Sequence, residues 1–304
     1  MKLVTFKTEG KVRSGWIAAD GGIVDMAKAS GGELPDTISA FIEDNEKYMP
    51  ILKKKYQDAK ADYALEDVEL LCPLPMPASF RDFMSFKEHT EHSAQLFNMK
   101  VPEYYYKKPV FYFSNSKSFV GPEAEVKRPD GCQRMDYECE LAAIIGKSGK
   151  DISAESADDY IFGYSVLNDW SARDLQAPEI GCGLGPAKGK DFATSMGPCI
   201  VTKDEFEQYR TADGRFDVPM TVHINGKKIT DGNYKTVLHT FPAIIEHVSK
   251  NVTIYPNEVL GSGTVGNGCL LELGVTDPNH FWLEPGDEVV MEIGGIGVLR
   301  NKII

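Results

Sequence analysis

The chain has 304 residues, and its 33 lysines and arginines against 45 aspartates and glutamates give a formal net charge of −12 at pH 7. Hydrophobic residues make up 42%, enough for the core of a globular fold. The negative charge argues against sequence-independent binding to nucleic acid or to an anionic membrane, because both surfaces repel a polyanion. No apolar run approaches the roughly 20 residues of a membrane helix. The start, with Lys2, Lys7 and Glu9, lacks the apolar stretch of a signal peptide, so we expect no targeting segment.

The six cysteines show no regular spacing and no C-x-x-C motif. A chain of this size needs no disulfides to fold, so we expect reduced thiols in a cytoplasmic protein. The same spacing argues against a zinc site built from cysteines.

The first 71 residues read as a small α/β domain. The strand patterns are LVTF, VRSGWIAA and Ile23-Val24, with a turn at Gly21-Gly22 before the last of them. Two helical patterns follow, at Thr37–Glu43 and Lys47–Ala59. Alternate prolines then predict an extended connector, at Pro73, Pro75 and Pro77. We therefore place a domain boundary near Leu71, between domains 1–71 and 72–304.

Strand patterns dominate the second part of the chain. β-branched and aromatic residues at sheet-like spacing occur in Pro109–Phe113, Tyr137–Gly146, Ile161–Trp170 and Gly197–Thr202. Asn225-Gly226 predicts a type I′ hairpin, Phe241–Asn251 a helix, and the stretch around Gly294-Gly295 two last strands. Many short strands and few long helices predict an α+β fold that is mainly β, a roll or sandwich and not a doubly wound sheet.

An acidic motif, Asp136-Tyr-Glu138-Cys-Glu140, heads one of these strands. Side chains at i and i+2 of a strand share a face, so Glu138 and Glu140 would repel each other unless protonated or neutralised. A hard divalent cation such as Mg²⁺, Mn²⁺ or Ca²⁺ would neutralise them. The alternative is a strand whose exposed face carries two solvated glutamates.

A second motif, Asn168 to Gln176, ends a strand and opens a short helix before Pro178. In a helical turn Asp169, Arg173 and Gln176 would share one face and offer one acceptor and two donors. The alternative is a helix cap in which Arg173 pairs with Asp169.

Three further segments contain candidate catalytic side chains but match no complete sequence motif. The glycine-rich stretch 181–195 lacks the phosphate-loop pattern and fits a mobile loop that brings Lys188 or Lys190 into a cleft. Glu272 interrupts an apolar stretch that reads as a strand. His89 and His92 lie one helical turn apart without H-E-x-x-H, so a zinc protease is not indicated, and an inert surface pair is the alternative.

Four motifs occur in chain order: E-x-E, NDWSARD-x-Q, G-K-x-F-x-T-S, and GSGT followed by a glutamate. In this order they resemble the fumarylacetoacetate hydrolase superfamily, including its smaller acylpyruvase- and fumarylpyruvate hydrolase-like bacterial members. The resemblance runs from about Pro73 to the C-terminus. The fold implied is the family's mixed β-sandwich roll behind a small N-terminal domain. The resemblance implies one bound Mg²⁺, with Mn²⁺ or Ca²⁺ as substitutes, a small keto-acid substrate and a homodimer. The implied metal ligands are Glu138, Glu140, Asp169 and Asp82, and Thr194 matches a residue lining their site.

The resemblance also implies catalytic roles. His89 matches a general base and Glu272 its orienting carboxylate, while the oxyanion donors correspond to Arg173, Gln176 and Lys190. The implied substrate contacts are Tyr112, Gly263 and Thr264. The stretch 82–99, with three prolines upstream, reads as a flexible lid that orders on binding. Where the family's name-giving enzyme grips substrate carboxylates, this chain has Met84, Asn98 and Ile180.

The expected activity is therefore hydrolysis of a carbon–carbon bond in a diketo acid, an acylpyruvate, a fumarylpyruvate or a fumarylacetoacetate-like compound. Two alternatives stay open. One is an isomerase, decarboxylase or hydratase of hydroxymuconate-type or keto acids on the same metal scaffold. The other is a non-catalytic metal-binding protein.

Overall fold

The computed structural model describes residues 1–57, 59–275 and 281–304. Its strands in chain order are β1 (Lys2–Thr8), β2 (Lys11–Ile17), β3 (Ile23–Asp25), β4 (Glu69–Leu71), β5 (Ser79–Phe83), β6 (Phe111–Ser114), β7 (Phe119–Val120), β8 (Glu125–Val126), β9 (Met135–Asp136), β10 (Cys139–Ile145), β11 (Ile161–Asn168), β12 (Ser171–Ala172), β13 (Thr194–Thr202), β14 (Pro219–Ile224), β15 (Lys227–Asn233), β16 (Glu258–Gly261), β17 (Glu288–Ile293) and β18 (Gly297–Ile303).

The α-helices are mostly short and lie between the strands. They are α1 (Met26–Ser30), α2 (Ile38–Glu43), α3 (Asn45–Tyr56), α4 (Lys87–Leu96), α5 (Glu103–Lys107), α6 (Arg173–Gly181), α7 (Lys203–Phe206), α8 (Phe241–Val248) and α9 (Leu270–Leu273). Single 3₁₀ turns occur at Leu65–Asp67, Ala157–Tyr160, Glu207–Tyr209 and Tyr234–Thr236. None of the described helices is long and apolar enough to cross a membrane.

The largest sheet is mixed and open, in the order β3-β2-β1-β13-β11-β10-β16-β5-β6, with β4 on β1 and β7 on β13. A second sheet has the order β15-β14-β17-β18-β8, and β12 and β9 form a small ladder. The fold is thus the predicted mixture of a β-rich roll with short helices. Because β1 pairs with β13, the N-terminal strands continue the sheet of the later chain. The division at residue 71 stays a prediction.

Strand β10 runs through the middle of the large sheet and is buried on both faces. Leu141, Ala143 and Ile145 point into one hydrophobic cluster, which also packs against the second sheet. Ala142 and Ile144 point into the other cluster, which holds the N-terminal helices. A strand buried on both faces reads as a continuous apolar run, and the acidic residues at its head are therefore carried into the interior.

Several local predictions are confirmed. Asn225 and Gly226 turn the β14–β15 hairpin with positive φ angles of 50° and 79°. The helical pattern over Thr37–Glu43 corresponds to α2, which Thr37 caps through its side chain. The helix predicted over Phe241–Asn251 ends earlier, at Val248.

Two local predictions are wrong. Glu272 lies in the short helix α9 and not on a strand, because the backbone N–H groups of Leu270 and Leu271 donate to the carboxylate of Asp136 and start a helical turn there. Helix α6 continues through Pro178 to Gly181. The proline ring removes one backbone hydrogen-bond donor, and the helix continues on both sides of Pro178.

Candidate active site

Four carboxylates meet where neighbouring strands of the large sheet end. Asp82 lies on β5, Glu138 and Glu140 at the head of β10, and Asp169 directly after β11. Their potential ligand atoms all lie within 4.8 Å of one another. All four side chains are buried, with at most 5% exposure. The alternative of two solvated glutamates is therefore wrong.

The environment of these carboxylates fits a divalent cation. Three of their oxygens, Asp82 Oδ1, Glu140 Oε1 and Asp169 Oδ1, are buried without a hydrogen-bond partner among the described residues. Burial first, and the neighbouring carboxylates next, raise the pKa of Asp82 and of Glu140 well above the usual range. Buried anionic oxygens without donors are costly, and oxygen-rich sets of this kind suit Mg²⁺ or Ca²⁺. The residues present thus fit such an ion.

Lys190 reaches this cluster from the glycine-rich loop. Its Nζ lies 2.6 Å from Glu138 Oε2 and 2.7 Å from Asp169 Oδ2. The loop packs so closely on α6 that a Cβ on Gly189 would lie 2.6 Å from the Cα of Gln176. The prediction of a lysine carried into a cleft is confirmed for this residue. Burial would lower the pKa of the lysine, but Asp169 and Glu138 raise it, so the ammonium stays charged.

Arg173 begins helix α6 and is 7% exposed. Its Nε donates to Asp136 Oδ2 at 2.8 Å, and its terminal nitrogen NH2 lies 2.8 Å from Glu138 Oε1. A third nitrogen donates to Gln176 Oε1 at 3.1 Å. The alternative of a cap in which Arg173 pairs with Asp169 is therefore wrong, because Asp169 precedes the helix and bonds Lys190. Arg173 is held between two acids beside the carboxylate cluster.

Helix α4 and helix α9 bring two histidines onto one glutamate. His89 Nδ1 lies 2.9 Å from Glu272 Oε2, and His92 Nδ1 lies 3.2 Å from Glu272 Oε1. Glu272 also accepts the backbone N–H groups of Asn267 and Gly268. Burial tends to raise its pKa, but His89 and these donors lower it. Burial tends to lower the pKa of His89, and Glu272 raises it instead.

A cavity of about 300 Å³ is lined by His89, by Arg173 and Lys190, and by two of the four carboxylates. Its inner end is polar and carries Asp82, His89, Tyr112, Glu138, Arg173, Gln176, Lys190 and Thr264. Its outer wall is largely apolar and carries Met84, Ala94, Phe97, Met99, Val101, Pro102, Ile180, Pro186 and Leu271. Helix α4, within the stretch interpreted as a lid, forms part of this wall.

The three predicted substrate contacts lie at or beside this cavity. Tyr112 donates its hydroxyl hydrogen to Asp169 Oδ2. Thr264 lines the cavity. Gly263 uses its backbone N–H for Glu140 Oε2 at 2.8 Å. Thr194 is buried at the start of β13, and its Oγ1 has no partner among the described residues. Their contacts with substrate remain predictions.

Sequence reasoning gave no role to Asp136, although the residue opens the acidic motif. It is fully buried and accepts Leu270 N at 2.7 Å, Leu271 N at 3.0 Å and Arg173 Nε at 2.8 Å. One carboxylate thus holds both the arginine and the helix of Glu272. The signal in the sequence is its position two residues before Glu138, in the same acidic motif.

Known proteins resemble the chain over its whole length. Human oxaloacetate tautomerase FAHD2A, a mitochondrial protein, is 31% identical over 100% of this chain and 92% of its own. A solved fumarylacetoacetate hydrolase from Exiguobacterium antarcticum superposes with a TM-score of 0.75 at 28% identity, over 100% of this chain and 99% of the other. Maleylpyruvate hydrolase from Sphingobium shares the fold, with a TM-score of 0.74 at 20% identity over 100% and 99% of the two chains.

A family model described as fumarylacetoacetate hydrolase, C-terminal, matches residues 78–304. This range contains the carboxylate cluster, the two histidines and the basic side chains described above. Members of this family are enzymes, namely hydrolases, isomerases and tautomerases. The chain belongs to the fumarylacetoacetate hydrolase family.

Proposed function

We propose that the protein is a Mg²⁺-dependent hydrolase that cleaves the carbon–carbon bond of a diketo acid, an acylpyruvate, fumarylpyruvate or fumarylacetoacetate-like compound. The observation that carries the proposal is that His89, which pairs with Glu272, lines the same cavity as Asp82 and Glu138 of the four-carboxylate cluster. A base for water and a cation site for the keto acid are the two parts that such a hydrolysis requires.

The metal would be held by Asp82, Glu138, Glu140 and Asp169. When bound, it would supply Lewis acidity that polarises the keto oxygens of the substrate. Mn²⁺ or Ca²⁺ would suit the same oxygen ligands. Tyr112, whose hydroxyl bonds Asp169, fixes the orientation of that carboxylate.

His89 is the general base in this proposal. Glu272 has a lowered pKa and is anionic, so it accepts a hydrogen bond from Nδ1–H of His89. The neutral imidazole then carries its lone pair on Nε2, because only one ring nitrogen holds the proton. Nε2 is thus the atom that takes a proton from water, and the hydroxide adds to the carbonyl carbon farther from the carboxylate.

Arg173, Gln176 and Lys190 stabilise the negative oxygen that develops on that carbonyl. The amide of Gln176 is oriented because its Oε1 accepts from Arg173, which leaves its NH₂ group free to donate. A donor aimed at such an oxygen typically contributes about 3–4 kcal/mol. Cleavage of the carbon–carbon bond then yields a carboxylate and, after protonation of the departing carbon, a second and shorter acid.

The outer wall of the cavity supports a substrate with an apolar acyl chain. Met84 and Ile180 line it at two positions where carboxylate-gripping groups are expected from the family resemblance. Asn98, at the third position, is not among the residues that line the cavity. Among the described residues of the outer wall, Lys100 is the positively charged side chain that could pair with a substrate carboxylate. A second carboxylate would thus lose its hydration against methionine, phenylalanine and isoleucine side chains.

The second candidate is an isomerase, and here a keto–enol tautomerase of oxaloacetate, because a relative 31% identical over the whole chain bears that name. A decarboxylase or hydratase of keto acids would use the same scaffold. These reactions need the cation and an acid/base group, but no attack by water that breaks a carbon–carbon bond. A purely metal-binding role leaves the buried Arg173 and Lys190 beside the carboxylates without a purpose.

The test is product analysis with Mg²⁺, using acylpyruvates, fumarylpyruvate, fumarylacetoacetate and oxaloacetate. We expect loss of the diketo absorbance with two shorter acids as products, and His89→Gln should lower kcat at least 100-fold because the base is removed. His92→Gln is the matched control, since it touches the same glutamate, and should keep kcat within about threefold. Unchanged turnover in His89→Gln, or tautomerisation without cleavage, would refute the hydrolytic mechanism.

The proposal includes a cytoplasmic homodimer. All six cysteines are free thiols, which supports a reducing compartment. The homodimer rests on the family resemblance, and sedimentation equilibrium tests it.

A further inference from the structure

We propose that Cys269, His89 and Glu272 form a second metal site, which takes a thiophilic divalent cation such as Zn²⁺ and switches the enzyme off. His89 lies about 180 positions before Cys269 and Glu272, so no spacing motif joins all three. Their potential ligand atoms nevertheless lie within 4.8 Å of one another, and all three side chains are buried.

The distances suit zinc. Cys269 Sγ lies 3.8 Å from His89 Nδ1 and 3.4 Å from Glu272 Oε2, and the latter two atoms are 2.9 Å apart. The point equidistant from the three atoms lies about 2.0 Å from each, and zinc bonds to nitrogen, oxygen and sulfur are about 2.0–2.3 Å long. An ion therefore fits among the three atoms with small side-chain movements. A water completes four ligands.

The ligand types separate this site from the carboxylate cluster. The cluster offers oxygen alone, which suits hard cations such as Mg²⁺. The second site offers sulfur, nitrogen and oxygen, a set that favours zinc. His89 and Leu271 line the cavity, so an ion reaches the site through the entrance for substrate.

Binding has a defined proton balance. The Cys269 thiol loses its proton to solvent as the Zn–S bond forms, while Glu272 is already anionic. His89 Nδ1 can bind zinc only when the ring proton sits on Nε2. One proton is thus released for each zinc bound, and Nε2 is left protonated. The lone pair that accepts a proton from water is then lost.

Cobalt absorption tests the site directly and does not depend on activity. With excess Mg²⁺ on the carboxylate cluster, Co²⁺ should produce a sulfur-to-cobalt charge-transfer band in the near ultraviolet, at one ion per chain. Cys269→Ser should abolish the band. Cys182→Ser, which removes the exposed thiol, should keep it. Absence of the band in the wild type, its survival in Cys269→Ser or its loss in Cys182→Ser would overturn the site.

The inhibitory effect rests on the proposed role of His89 as general base. It is measured separately, as inhibition of turnover by Zn²⁺. Each variant is compared with its own zinc-free rate, at saturating Mg²⁺. Zn²⁺ should inhibit the wild type at a concentration at least tenfold lower than it inhibits Cys269→Ser. Equal inhibition of both proteins would overturn the switch. A cobalt band in a protein without hydrolytic activity would leave the site standing and remove the proposed function.

Discussion

Glu138 and Glu140 show how two identical side chains, two positions apart, acquire opposite properties. Burial would raise the pKa of both. At Glu138 the charges of Lys190 and Arg173 overcome burial, and the pKa is lowered. At Glu140 the neighbour is Asp82, and the pKa is raised well above its usual range. The same residue type thus supplies one fixed anion and one group that requires a cation or a proton.

Glu272→Gln tests the pairing at His89. Glu272 raises the pKa of His89 against the effect of burial, and the neutral imidazole is the active base. Activity is therefore lost as pH falls through that raised pKa. Without the carboxylate the pKa drops, so the acid limb of kcat/KM should move to lower pH while kcat falls about tenfold or more. A pH–rate profile measures both. An acid limb that stays in place, or moves to higher pH, would contradict the assignment.

Asp136→Asn tests the carboxylate that joins Arg173 to helix α9. The variant keeps the size of the side chain but leaves Arg173 with one acid fewer. We expect kcat to fall about tenfold or more with a smaller change in KM, and unfolding free energy to fall by about 3 kcal/mol. Steady-state kinetics and urea unfolding measure these changes.

The control for this variant is Asp174→Asn, which alters the residue that follows Arg173 in helix α6. Asp174 accepts from Gln133 N at 2.7 Å, away from the buried ion pairs. It should leave kcat within about twofold. If Asp136→Asn matched this control in kcat, the carboxylate would have no positioning role.

The loop after β16 lies against the segment that joins β5 to α4. Gly263 has a φ of 80°, and a Cβ there would meet Phe83 O at 2.2 Å and Ser85 N at 2.9 Å. The loop also donates the Gly263 N–H to Glu140. This close approach fixes where α4 begins and hence where His89 lies.

Gly263→Ala should therefore disturb both stability and activity. Gly131→Ala is a matched control, since Gly131 has a φ of 83° and open space around it. The control should cost about 1–2 kcal/mol through backbone strain alone. Gly263→Ala should cost at least about 2 kcal/mol more, with a loss of kcat, as urea unfolding and kinetics would show. Equal destabilisation by the two variants would mean that the close contact does not matter.

Elements with a local cause could be predicted from the sequence. Two residues that tolerate positive φ specify the β14–β15 hairpin, and the side chain of Thr37 specifies the start of α2. Helix α9 could not be predicted, because its cause is a carboxylate more than 130 positions away at Asp136. Without that partner, the apolar run around Glu272 looks like a strand.

The strand order of the large sheet brings the site residues together. β5, β16, β10 and β11 are consecutive neighbours in the large sheet, although only β10 and β11 among them lie close in sequence. The order of motifs was enough to predict the family and the set of acidic residues. It could not show that Arg173 is held by Asp136, or that Cys269 lies beside His89, because these contacts depend on how the sheet and α9 pack.

The proposed function requires that four buried carboxylates, Asp82, Glu138, Glu140 and Asp169, bind one divalent ion. Mn²⁺ binding, followed by electron paramagnetic resonance, tests it most directly in the wild type, in Glu140→Gln and in the control Glu66→Gln, which alters an exposed glutamate. We expect one tightly bound ion per chain in the wild type and the control, displaced by Mg²⁺, and at least tenfold weaker binding in Glu140→Gln. No bound ion in the wild type, or equal affinity in Glu140→Gln, would show that the four carboxylates do not form a metal site.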